Sequence, residues 1–98
     1  MPRILVVKVG KNPEVSTIKQ GLEPMQEVVG GLIEAVGLED QLDIFCNEEG
    51  HLLHLPFNRD VGRHHIMGDF FVSRSNDDGE TIDLTDADVE KYTKEFAL

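Results

Sequence analysis

The chain has 98 residues, one cysteine, no tryptophan and a formal net charge of -10, with a pI near 4.6. That length suits one small domain, expected to span residues 1–98, and one cysteine excludes an intrachain disulfide framework. The acidity argues against direct binding to nucleic acid or to an anionic membrane, since basic patches supply most of that attraction.

The opening apolar run is too short for a signal segment or a membrane span, so a cytoplasmic location is expected. Residues 3–9, RILVVKV, are β-branched and bounded by Gly10, which predicts a central strand. The turn Lys11-Asn12-Pro13-Glu14 leads into VSTIK at 15–19, and the two runs form a predicted hairpin. Leu22-Glu23-Pro24-Met25 opens a short helix, with Pro24 in the first turn, where a missing N–H is harmless. Leu22, Met25, Val28 and Val29 share one face, and Gly30-Gly31 supplies the left-handed stop.

Residues 32–36, LIEAV, predict a further strand, followed by an acidic connection over 37–41. The central expectation is a hairpin with arms at 42–46 and 51–55 and a turn at Asn47-Glu48-Glu49-Gly50, Gly50 taking the left-handed position. Residues 58–67, NRDVGRHHIM, show no clean period and read as a loop. GDFFVSR at 68–74 is a strand, residues 75–79 a turn, and 81–84 a short edge strand. Thr85 is an N-cap candidate for the last helix. Asp86 and Asp88 lie in its first turn, Leu84 and Val89 at the staple positions, and Val89, Tyr92 and Phe96 on its buried stripe. The expected class is α+β: a single mostly antiparallel sheet with two helices, in the order ββ-α-β-ββ-loop-β-α.

No complete catalytic set is present. Cys46, His51, His54, His64 and His65 are the metal-capable residues, but His51 and His54 fall on opposite faces of an extended arm, and no CxxC seeds a zinc site. No metal and no cofactor are expected. His54 is read as a cross-strand partner of Asp43, and Cys46 as a small buried apolar residue. Asn58 and Arg59, with Asn47, are the ligand-binding candidates, because an arginine fork leaving a buried strand can hold a carboxylate or phosphate. From Asp77 to Glu90 there are seven acidic residues and no basic one: Asp77, Asp78, Glu80, Asp83, Asp86, Asp88 and Glu90. These form a candidate acidic face for a basic protein partner.

Six stretches carry a resemblance: ILVV at 4–7, LEPMQEVVGGLI at 22–33, IFCNEEG at 44–50, LPFNR at 55–59, IMGDFFV at 66–72 and LTDADVEKYTKEF at 84–96. In that order the chain resembles the family known as domain of unknown function 3846; the His64-His65 pair is not among the shared motifs. The family has no established activity, so no site residue is implied. The resemblance implies a setting among accessory genes of phages and plasmids, whose small acidic products bind and block host proteins. The leading expectation is a non-enzymatic binding protein that docks on a host protein. The alternatives are a nucleotide or anion module centred on Asn58 and Arg59, and a Cys/His-dependent enzyme. Oligomeric state is left open.

Overall fold

The computed structural model describes residues 1–98. Its elements follow the order β1 (Arg3–Val7), β2 (Glu14–Thr17), α1 (Leu22–Val29), β3 (Ile33–Glu39), β4 (Leu42–Asn47), β5 (Phe57–Val61), β6 (His64–Met67), β7 (Phe70–Ser75), β8 (Thr81–Ile82) and α2 (Asp86–Glu95). Six strands form one sheet in the order β2-β1-β7-β4-β3, with β8 added to β7, while β5 and β6 form a separate two-stranded sheet. Every pairing is antiparallel. The fold is α+β, with two helices.

Both faces of the large sheet are covered, and the period of two in its strands sorts the core accordingly. On β1, Ile4 joins the small cluster with Ile18, Val29 and Phe71, against which Met25 and Val28 of α1 pack. Its neighbours Leu5 and Val7 belong to the larger cluster, with Ile44, Phe70, Val72, Tyr92 and Phe96. Aromatic pairs reinforce both sides: Phe45 stacks on its cross-strand neighbour Phe71 at 5.4 Å within the sheet, and Phe70 meets Phe96, at the end of α2, edge-on at 5.3 Å. Burying fully enclosed rings such as Phe70 and Phe71 stabilises the fold by roughly 1.5–3 kcal/mol each.

Local signals explain both helices. Gly30 takes the left-handed conformation at φ 77° and donates to the Gln26 carbonyl, ending α1. Thr85 caps α2 in a reciprocal box: its hydroxyl accepts from the Asp88 N–H at 3.0 Å, and its own N–H donates to Asp88 Oδ2 at 2.9 Å. Leu84, beside the cap, is fully buried.

Three expectations are corrected. The expected arm over residues 51–55 is not a strand. The partner of β4 is β3, joined through Asp40 and Gln41, with Gln41 at φ 65°. Asn47 redirects the chain: its side-chain oxygen accepts the Glu49 N–H at 2.8 Å and starts a single helical turn. That turn ends with Leu55 donating to the Gly50 carbonyl and His54 to the His51 carbonyl, while His54 itself takes φ 55°, the pattern of a Schellman close. Gly50 therefore lacks the expected positive φ. Secondly, residues 58–67 are not a loop, because β5 and β6 pair there around Gly62 and Arg63. Gly62 at φ 58° fits the first central position of a two-residue hairpin turn. Thirdly, the single sheet becomes two, in the order ββ-α-ββ-ββ-ββ-α.

Candidate functional site

The region that gathers polar chemistry is the β5–β6 hairpin and what it lies against. Its base is fastened by Asn58 and Arg59. Asn58 is buried, and its amide donates to the carbonyls of Val7 at 2.8 Å and Gly68 at 3.0 Å. The Arg59 guanidinium donates to Phe96 O through Nε at 3.1 Å and Nη2 at 2.9 Å, to Lys11 O at 2.6 Å, and to Asn58 Oδ1 at 2.5 Å. One planar fork thus ties β5 to the end of α2 and to the β1–β2 turn. The two carboxylates nearest to Arg59 in the sequence, Asp60 and Asp69, are occupied elsewhere: Asp69 accepts the Val9 N–H, and Asp60 holds His65 across the hairpin. Asn47 is a third buried amide, donating to Val29 O at 3.2 Å at the end of α1. The three candidate ligand residues are therefore engaged by main chain, Asn58 and Arg59 together and Asn47 at a different junction.

The hairpin tip stands between two clefts that share Val36, Arg63 and His64. The first, about 460 Å³, lies between β3, the β5–β6 turn and α2. Val36, Leu38, Val61, Tyr92 and Phe96 give it apolar surface, and Glu39, Arg63, Lys91 and Glu95 bring charge. Lys91 Nζ is 2.6 Å from Glu39 Oε2. That hydrogen bond lowers the Glu39 pKa and raises that of Lys91. Burial, followed by the Glu39 charge, raises the Tyr92 pKa.

The second cleft, about 290 Å³, brings together Cys46, His51, His64 and His65 with Glu34 and Glu48. No three of the metal-capable side chains are grouped to hold an ion. Cys46 is buried and donates weakly to Glu34 O at 3.6 Å. Desolvation, reinforced by the Glu34 charge, pushes its thiol up to about 11, the opposite of what a nucleophile needs. His51 bonds the His65 carbonyl through Nε2 at 3.1 Å. His54 lies outside the cleft and does not face Asp43, whose sheet neighbours are Gly37 and Ser73.

The acidic stretch runs from the β7–β8 turn into α2. Asp77, Asp78, Glu80, Asp83, Asp86 and Glu90 are exposed, but Asp88 is buried and leaves the face. Local partners already engage several of them: Asp83 accepts the Arg3 N–H at 2.7 Å, Asp86 pairs with Arg3 at 3.1 Å, and Glu90 pairs with Lys94 at 3.2 Å. Sequence reasoning missed Arg63 and Glu95, which the hairpin and α2 bring to the same cleft. The Gly62-Arg63 dipeptide was the available signal, since it marks a two-residue turn that projects its second side chain.

No helix is long and apolar enough to cross a membrane. No curated protein and no solved structure matches the chain. Residues 2–97 match the model of the family described as a domain of unknown function (DUF3846), and the chain belongs to that family.

Proposed function

We propose that this is a non-enzymatic binding protein of the cytoplasm that docks on a basic surface of another protein. The observation that carries the reading is the run from Asp77 to Glu90, which has no Lys or Arg in its sequence and exposes six carboxylates, three of which, Asp77, Asp78 and Glu80, take part in no ion pair. In a chain of net charge -10, such a run steers a cationic partner and rejects anionic ones. The burial of Cys46, which raises its thiol pKa, and the main-chain engagement of Arg59 agree with it, because both withdraw side chains from catalysis. The finer form of the proposal is an accessory protein of a phage or plasmid that blocks a host protein.

The test is capture of a partner from a lysate of the encoding organism, comparing the protein with a variant carrying Asp77→Asn, Asp78→Asn and Glu80→Gln. Capture is expected at about 0.1 M salt and lost at about 1 M, where the Debye length falls to roughly 3 Å. The variant is expected to lose it at both. A partner held equally by the variant and at high salt would defeat the proposal.

A further inference from the structure

The cleft between β3, the β5–β6 turn and α2 is lined by two opposite charges, Arg63 and Glu95, that form no ion pair within 4.0 Å with each other or with any other side chain. The other three arginines are occupied: Arg3 by Leu84 O and Asp86, Arg59 by carbonyls, and Arg74 by Asp88. Arg63 takes part in none of the five ion pairs, and neither does Glu95. Both line the same cleft, together with Val36, Leu38, Val61 and Tyr92. The remaining charges there, Lys91 and Glu39, already cancel as a close pair. A cation and an anion that do not pair, in a cleft that also offers apolar side chains, complement a molecule with the reverse pattern.

We infer that this cleft binds a small amphoteric ligand, one carrying an anionic group for Arg63 and a cationic group for Glu95 on an apolar body. A free amino acid with an apolar side chain and the paired termini of a short peptide both have this chemistry. The volume of about 460 Å³ is within the range of small-molecule sites. The inference is independent of the acidic run, which lies on other residues.

The test is an NMR titration of the isotope-labelled protein with two amphoteric probes, L-phenylalanine and phenylalanylphenylalanine. Phenylacetate and phenethylamine, which keep one charge each, are the controls. At least one amphoteric probe is expected to shift amides in 61–64 and 91–96 and to bind at least about tenfold tighter than either control, the worth of one charge-assisted contact. The tighter of the two probes distinguishes an amino acid from a peptide. Arg63→Gln and Glu95→Gln are each expected to weaken that probe about tenfold, with an unchanged urea midpoint because both positions are exposed. Arg63→Gln is expected to spare phenethylamine, and Glu95→Gln to spare phenylacetate. The inference is overturned if neither amphoteric probe shifts those amides, if a control binds as tightly, or if either substitution leaves the affinity unchanged.

Discussion

Asp88 and Arg74 face each other as a two-pronged pair, Nε and Nη2 of the arginine each 2.8 Å from a different carboxylate oxygen. Their side chains are only 8% and 21% exposed, so the pair pins α2 to β7 where water screens little. Asp88 also closes the Thr85 cap. Asp88→Ala is therefore expected to destabilise the fold by about 3 kcal/mol, most of it from leaving Arg74 without its partner and the rest from the lost cap. Urea unfolding at pH 7 measures it. A loss under about 1 kcal/mol would show that the pair behaves as an exposed one.

The same carboxylate gives a pH signature. The Arg74 hydrogen bond, with those from Thr85, holds the Asp88 pKa down to about 2, against an ordinary 3.8. A group depressed on folding stabilises the fold above its unfolded pKa and loses that stabilisation as pH falls through the folded value. Stability is expected to drop by about 2 kcal/mol between pH 4 and pH 2 from this group. Asp88→Asn should flatten that part of the profile, which urea midpoints taken across the range would reveal.

Arg59 has a structural consequence that can be measured directly. Its fork serves Phe96, Lys11 and Asn58 at once, a geometry that an ammonium cannot reproduce. Arg59→Lys is expected to cost about 2 kcal/mol and to speed amide exchange in the last turn of α2. Unchanged exchange at Tyr92 to Phe96 would show that the clamp does not hold the helix end.

How much of this was legible in the sequence follows from which interactions are local. The Thr85 cap, the Gly30 stop and the β1–β2 hairpin are written within a few residues, and the structure matches them. The choice of β3 as partner of β4 was not, because Asn47-Glu48-Glu49-Gly50 has the composition of a hairpin turn while its geometry is decided by side-chain and long-range contacts. The β5–β6 hairpin was hidden by a register shift between Phe57 and Arg59, which breaks the alternation that a strand is recognised by. The first cleft was illegible for the same reason, since its wall is that hairpin. Asn58 and Arg59 stand out in the sequence as a polar pair beside an apolar run, but only the fold shows that main-chain carbonyls hold them.

Two glycines separate crowding from backbone conformation. At Gly50 a Cβ would lie 2.9 Å from the Met67 carbonyl oxygen, with no positive φ to accommodate. At Gly10, φ is +72° and nothing lies within 4 Å. Gly50→Ala is expected to cost about 2 kcal/mol through overpacking against main chain that cannot swing aside. Gly10→Ala is expected to cost about 1 kcal/mol from left-handed strain alone. Equal effects in thermal unfolding would show that the residue 50 turn relaxes away from Met67.

Cys46 supplies a second, alkaline signature. Its thiol is neutral in the fold up to about pH 11, because burial and the Glu34 charge oppose ionisation. The unfolded thiol ionises near its ordinary value, about 9. A group whose pKa is raised on folding stabilises the fold below the unfolded value and loses that effect as pH rises through the folded one. Stability is therefore expected to fall between about pH 9 and pH 11, and Cys46→Ala should remove that decline while adding a small constant loss of packing. The native thiol is also expected to react with a disulfide reagent at pH 8 only as fast as the chain opens. Rates that track the unfolding equilibrium as urea is raised would bear this out, whereas rapid labelling in the absence of denaturant would mean that the second cleft exposes a thiolate after all.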